Sequence, residues 1–154
     1  MNKHTTKYFG EIELSIDEDG SWADFDTTYN EQEITVSLSD YGIYEDKTKV
    51  CWEIIDKYAE INEIAKKAII ENFPKKDGTV NYYFECHFDI LDEEELIEVF
   101  GIKKFKDLDI KTTVEKMAYP DLLFGLDEGK LTFSVDYMIA KEYSDEILCV
   151  KMDE

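Results

Sequence analysis

Residues 46–73, DKTKVCWEIIDKYAEINEIAKKAIIENF, carry Val50, Ile54, Ile55, Tyr58, Ile61, Ala65, Ala68, Ile69 and Phe73 at steps of three and four. Such spacing lines one apolar stripe along a helix, the pattern of an element that lies on a core. Asp46 is placed to cap the first turn. Pro74 lacks an N–H and clashes with the turn before it, so the helix ends at Phe73. Alternating patterns precede this segment, and more helix and then more strand follow it.

Upstream, Tyr8, Gly10, Ile12, Leu14 and Ile16 alternate with Phe9, Glu11, Glu13 and Ser15. A period of two with one apolar face predicts a half-buried strand from Tyr8 to Ile16. Asp19-Gly20 then predicts a hairpin bend. With these two residues as the loop, Ile16 faces Ala23, Leu14 faces Phe25 and Ile12 faces Thr27. On the other side Ser15 meets Asp24 and Glu13 meets Asp26. A third strand runs from Gln32 to Leu38. Closing it at Asn30-Glu31 sets Ile34 by Thr27, Val36 by Phe25 and Leu38 by Ala23. Both hairpins bury the same side of the middle strand, so the register predicts a three-stranded antiparallel meander.

Downstream of Pro74, Lys75 to Gly78 reads as a turn. Thr79 to Leu91 is rich in Tyr and Phe, yet Val80, Tyr83, Phe84, His87, Phe88 and Leu91 recur at helical spacing, and the period favours a helix. Asp92 caps a short helix, Glu93 to Phe100, whose first-turn acids suit the helix dipole, and Gly101 ends it. Another helix is expected over Phe105 to Met117. Asp121 to Gly125, Leu131 to Ile139 and Ile147 to Met152 read as strands, with turns at Asp127-Glu128-Gly129 and at Lys141 to Asp145. The expected fold is therefore α+β, a single domain over residues 1–154. Its antiparallel sheet joins the N-terminal meander to the C-terminal strands, and helices from the central region pack on one face.

Composition narrows the partners. Among 154 residues stand 37 acids and 17 basic residues, all of them Lys, for a net charge of -20. Residues 1–45 hold 11 acids and 2 Lys, a net of -9; residues 118–154 hold 9 and 3, a net of -6; residues 46–117 hold 17 and 12, a net of -5. The negative field belongs mainly to the strand regions. It repels nucleic-acid backbones and anionic membranes, so neither is expected as a partner. A basic protein or a metal cation suits it better, and solubility alone is the plainer explanation. Hydrophobic residues at 44% are enough to build a core. Cys51, Cys86 and Cys149 are an odd number without CxxC spacing, no leader pattern opens the chain, and no apolar run approaches a membrane span. A reduced, cytoplasmic protein with cysteines as packing residues is the expectation.

Catalytic signals are sparse. His4 falls near the start of the chain, in a stretch expected to fray, and His87 on the apolar side of its helix, as packing histidines do. No GxSxG, P-loop or GxGxxG is present, no base stands beside a nucleophile, and two His without a second ligand at useful spacing do not make a zinc site. Asp17-Glu18-Asp19-Gly20 superficially resembles a calcium loop, but its glycine comes one ligand too early and no Glu closes the frame. Neither catalysis nor a cofactor is expected.

The outward side of the meander is the candidate site. It presents Glu11, Glu13, Asp24, Asp26 and Glu33, with Trp22 at the hairpin end and Phe9 at the other. Opposed carboxylates such as Glu13 and Asp26 cost some tenths of a kcal/mol. An indole ringed by carboxylates can anchor a basic partner and accept a cation on its face. The alternative is a solvated sheet face with Trp22 folded over the turn.

From Leu131 to Asp153 the chain reads LTFSVDYMIAKEYSDEILCVKMD. Asp136-Tyr137, Glu142 and Ser144-Asp145-Glu146 before a closing apolar strand, with the opening Tyr8-Phe9-Gly10-Glu11, resemble a family of small acidic bacterial proteins of unknown function. The resemblance covers about a quarter of the chain and implies no catalytic residues. Some small acidic proteins of this sort act as immunity proteins beside secreted toxins. The expected function is thus a non-enzymatic cytoplasmic protein that binds a basic protein partner, with a toxin that it neutralises as the candidate the resemblance implies. Its rivals are a divalent-cation-dependent hydrolase using clustered carboxylates, and a homo-oligomeric module joined through an edge strand.

Overall fold

A computed structural model describes residues 3–39 and 48–153. Eight strands and five α-helices are assigned among them. The strands are β1 (Lys3–Thr6), β2 (Gly10–Glu13), β3 (Ser15–Ile16), β4 (Trp22–Tyr29), β5 (Gln32–Ser39), β6 (Asp121–Asp127), β7 (Lys130–Tyr137) and β8 (Leu148–Asp153). The helices are α1 (Thr48–Ile55), α2 (Tyr58–Asn72), α3 (Thr79–Ile90), α4 (Glu93–Phe100) and α5 (Ile110–Glu115), with a 3₁₀ turn at Phe105–Asp107 before α5. The class is α+β. Two compact units group these elements, one comprising Met1–Asn62, Tyr119–Asp136 and Cys149–Glu154, the other Glu63–Ala118 and Tyr137–Leu148.

The sheet has six strands in the order β3-β4-β5-β6-β7-β8, with β1 and β2 forming a separate two-stranded sheet. The expected meander stands in part: its second hairpin has the expected register, but its first strand pairs with β4 only over Ser15 and Ile16, so the expected pairs Ile12–Thr27, Glu13–Asp26 and Leu14–Phe25 do not form. Ile16 pairs with Ala23 and Ser15 with Asp24. Along β4 and β5, Thr27 pairs with Ile34, Phe25 with Val36 and Ala23 with Leu38. Asn30 and Glu31 both take positive φ, 48° and 68°, as a two-residue type I′ turn demands. At the first bend only Gly20 is left-handed, at φ 73°. The Gly20 N–H closes on the Asp17 carbonyl (3.0 Å), and the Ser21 N–H donates to the Asp19 carboxylate (3.0 Å). This bend is therefore a type I turn ending in a left-handed glycine, with the same register as the expected two-residue loop.

Two expectations about the sheet are corrected. It is mixed rather than antiparallel, because β5 and β6 run parallel with Val36 beside Leu122 and Leu38 beside Phe124. And Tyr8 to Ile16 is not one strand. The Thr6 hydroxyl donates to the Gly10 carbonyl and accepts from the Phe9 N–H, both at 3.0 Å, while Gly10 takes φ 67°. This closes a turn at residues 7–9, so β2 folds back on β1 and leaves β4 after Leu14. His4 sits in β1, where its ring stacks on Trp52 at 4.0 Å, instead of fraying.

In the first unit the inner side of the sheet is mainly apolar: Ala23, Phe25, Val36, Leu38, Leu122, Phe124, Leu131 and Val135 are buried. Trp52 of α1 stacks over Phe25 at 6.1 Å. Phe9, Tyr29 and Tyr58 pack edge-on at 5.1–6.2 Å, and the Tyr58 hydroxyl donates to the Pro120 carbonyl at 2.6 Å. The organising stripe buries Cys51, Ile54, Ile55, Tyr58 and Ile61 in this unit; its Ala65 and Ile69, also buried, belong to the second. Its helix is broken at Asp56 and Lys57, where the Lys57 N–H reaches back only to Ile54 (2.9 Å) and the Asp56 carboxylate accepts the Lys7 N–H (2.9 Å). An aspartate that bonds elsewhere competes with helix continuation. The expected cap at Asp46 lies outside the described residues.

In the second unit, α3 and α4 match expectation. Asp92 accepts from the Glu95 N–H (2.9 Å), and Glu95 accepts from the Asp92 N–H (3.0 Å), a reciprocal capping box. Gly101 ends α4 in the left-handed region. The helix expected over Phe105 to Met117 is split at Asp109, whose carboxylate starts a new one by accepting the Lys111 N–H at 3.1 Å.

Candidate functional site

Strand parity decides which carboxylates share the open side of the sheet. On β4, Trp22, Asp24, Asp26 and Thr28 point away from the buried Ala23 and Phe25. Opposite them on β5 stand Ser39, Ser37, Thr35 and Glu33. Trp22 is half-buried and keeps to this side, its indole N–H donating to Asp24 Oδ2 at 3.0 Å. The Thr35 hydroxyl donates to Asp26 Oδ1 at 2.7 Å. Between β4 and β5 each acid therefore faces a hydroxyl, so no two carboxylates oppose each other across this pair of strands.

Glu11 and Glu13 do not belong to it. Both lie on β2, exposed, with Glu13 opposite Lys3 and Glu11 opposite Thr5. Lys3 Nζ lies 3.8 Å from Glu11. Phe9 is also displaced, because the turn at residues 7–9 turns it onto Phe25, Tyr29 and Tyr58. Of the expected set the structure brings together Trp22, Asp24, Asp26 and Glu33.

Two further acids extend the face. The parallel pairing of β5 with β6 places Asp121 next to Thr35, whose N–H donates to Asp121 Oδ1 at 2.7 Å. Thr35 thereby joins Asp26 to Asp121. Across β7, Asp136 stands opposite Asp121, and Asp136 Oδ1 is buried with no hydrogen-bond partner. A buried carboxylate oxygen left unpaired costs free energy. No lysine stands on β4, β5 or β6. At about 4.8 Å per strand, the acids span roughly 14 Å from β4 to β7. Beyond them the face dips into a depression of about 450 Å³ lined by Leu123, Gly125, Thr132, Ser134, Lys151 and Met152. Asp136 has the parity of Thr132 and Ser134, so its side was readable. What was not readable is that β6 and β7 adjoin the meander.

Among the described residues, the one cysteine-histidine pair in contact is built as packing. Cys86 Sγ lies 3.7 Å from His87 Nδ1, but that nitrogen donates to the Tyr83 carbonyl at 2.7 Å and cannot also accept the thiol proton. Cys86 donates to the same carbonyl at 3.0 Å. Burial, with the Glu146 and Asp89 charges, pushes the thiol above its ordinary range, and burial lowers the His87 pKa. Both shifts oppose the thiolate-imidazolium state that such chemistry needs. Cys51 is buried and Cys86 half-buried, whereas Cys149, expected inside, is exposed. Among the described residues no three His, Cys, Asp or Glu converge as a metal site, and no helix is long and apolar enough to cross a membrane.

Comparison of the chain with protein-family models, curated proteins and solved structures finds no match.

Proposed function

We propose that this chain is a non-enzymatic, cytoplasmic binding protein whose open sheet face docks a basic protein partner, in the manner of an immunity protein on its toxin. The docking residues are Trp22, Asp24, Asp26, Asp121 and Asp136, with Glu33 at the rim. The observation that carries this reading is the opposition of Asp121 to Asp136, whose Oδ1 is buried without a partner, on a face whose strands β4 to β6 hold no lysine. A lysine or arginine laid across β6 and β7 would pair with the exposed Asp121 and offset its opposition to Asp136, while the Trp22 indole offers an apolar anchor beside the acids. A net charge of -20 steers a cationic partner toward the chain.

Asp24→Lys with Asp26→Lys tests this. Partner recovered on the tagged parent chain should associate at least tenfold more slowly with the double variant, with the salt dependence of the rate reduced. Glu13→Lys, on the separate two-stranded sheet, should leave the rate nearly unchanged. Equal rates for the parent and the double variant would sink the reading.

A further inference from the structure

The second unit sorts its charges in a way the sheet face does not explain. Residues 85–98 hold seven carboxylates and no lysine. Apart from Lys141, the lysines of this unit fall between residues 66 and 76 or between 103 and 116. The acidic stretch and the following segment 141–147 also carry exposed apolar side chains: Ile90, Ile97, Tyr143 and Ile147 are 56%, 44%, 38% and 52% exposed. The capping box explains Glu95 and the dipole explains Glu93 and Glu94. Neither explains an isoleucine on the outer side of α4 between Glu94 and Glu98.

Ile97 has a neighbourhood with the anatomy of a docking surface. The Tyr143 hydroxyl donates to Glu98. That bond, with the charges of Glu98, Glu142 and Glu95, pushes the phenol up to about 12. A depression of about 390 Å³ beside Ile97 is lined by Glu93, Glu94 and Lys103, and Lys103 is held to Glu93 at 2.7 Å. Ile97 thus lies exposed among carboxylates with Lys103 at one side, and Tyr143 is held to the next residue of α4, Glu98.

We propose that the outer side of α4, with Tyr143, docks a lysine- or arginine-rich amphipathic segment of a protein partner. The apolar side of the segment lies on Ile97 and the Tyr143 ring, and its cations reach Glu94, Glu98 and Glu142. Charge selects this occupant over a second copy of the chain, which would bring carboxylates to carboxylates. The inference stands on second-unit residues alone and survives if the sheet face binds nothing.

The test titrates a fluorescent amphipathic helical peptide of Lys and Leu into the full chain and follows anisotropy. Ile97→Asp adds a negative charge while removing the apolar anchor, so the two explanations of binding part ways. Docking predicts binding weaker by about tenfold. Tyr143→Ser should weaken it severalfold, and Asp24→Lys with Asp26→Lys should leave it unchanged. Binding to Ile97→Asp as tight as to the parent, or tighter, would overturn the proposal. So would equal weakening by the sheet-face double variant, because the peptide would then be reading net charge alone.

Discussion

Tyr83 makes two hydrogen bonds through one oxygen. Its hydroxyl accepts the Ile139 N–H at 2.9 Å and donates to the Glu146 carbonyl at 3.2 Å, so α3 grips both ends of the segment that leads to β8. Both Tyr83 and Ile139 are buried. Tyr83→Phe keeps the ring against Phe84 and His87, at 5.1 and 4.9 Å, and removes only the oxygen. Losing a hydrogen bond costs about 1 kcal/mol net, and leaving the buried Ile139 N–H unpaired adds about 1–3 kcal/mol. Glu146 is exposed, so water can replace the phenol at its carbonyl. The sum is about 2–4 kcal/mol, or a fall in Tm of about 5–12 °C for a chain of this size. Urea denaturation followed by circular dichroism should show a lower midpoint with an unchanged slope. Tyr82→Phe, at a side chain 68% exposed, should stay within about 0.5 kcal/mol of the parent. A Tyr83→Phe variant as stable as Tyr82→Phe would refute the reasoning.

Three further outcomes follow from the geometry. Glu31 holds φ 68° in a turn that favours glycine, so Glu31→Gly should stabilise the chain by about 0.5–1 kcal/mol, read as a raised urea midpoint. Burial lowers the His87 pKa from its ordinary 6.5, so the unfolded chain takes up this proton first as pH falls. Stability is then lost with falling pH below that value, by at most about 1.4 kcal/mol per unit, until native His87 also protonates. Urea melts at several pH values should show a shallower acid loss in His87→Met, and an identical loss would count against the buried neutral ring. Glu98→Gln should bring the Tyr143 phenol down from about 12, seen as earlier tyrosinate absorbance in an alkaline titration; an unaltered curve would deny the Tyr143–Glu98 bond.

Local pattern made the hairpins legible. Asn30-Glu31 gave both the turn and the pairing of Thr27 with Ile34, because a one-residue slip would have turned Val36 and Leu38 outward. Helical period likewise outweighed aromatic content in α3, and Asp92 with Glu95 announced α4. The failures have identifiable causes. Gly10 fits an apolar alternation as well as it fits a left-handed turn, and only the Thr6 hydroxyl decides between them. That ambiguity misplaced Glu11, Glu13 and Phe9. The parallel pairing of Val36 with Leu122 joins residues far apart in sequence, and no local period encodes such a neighbour. Asp121 and Asp136 were missed for that reason, although Asp136 alternates visibly with Phe133 and Val135.

The most direct measurement of the docking face is amide hydrogen exchange of the chain, free and bound to the basic protein it captures. Slowed exchange in β4 and β5 (residues 22–39) together with β6 and β7 (residues 121–137) is the expected footprint. Protection absent from all four strands, with the partner bound, would contradict it.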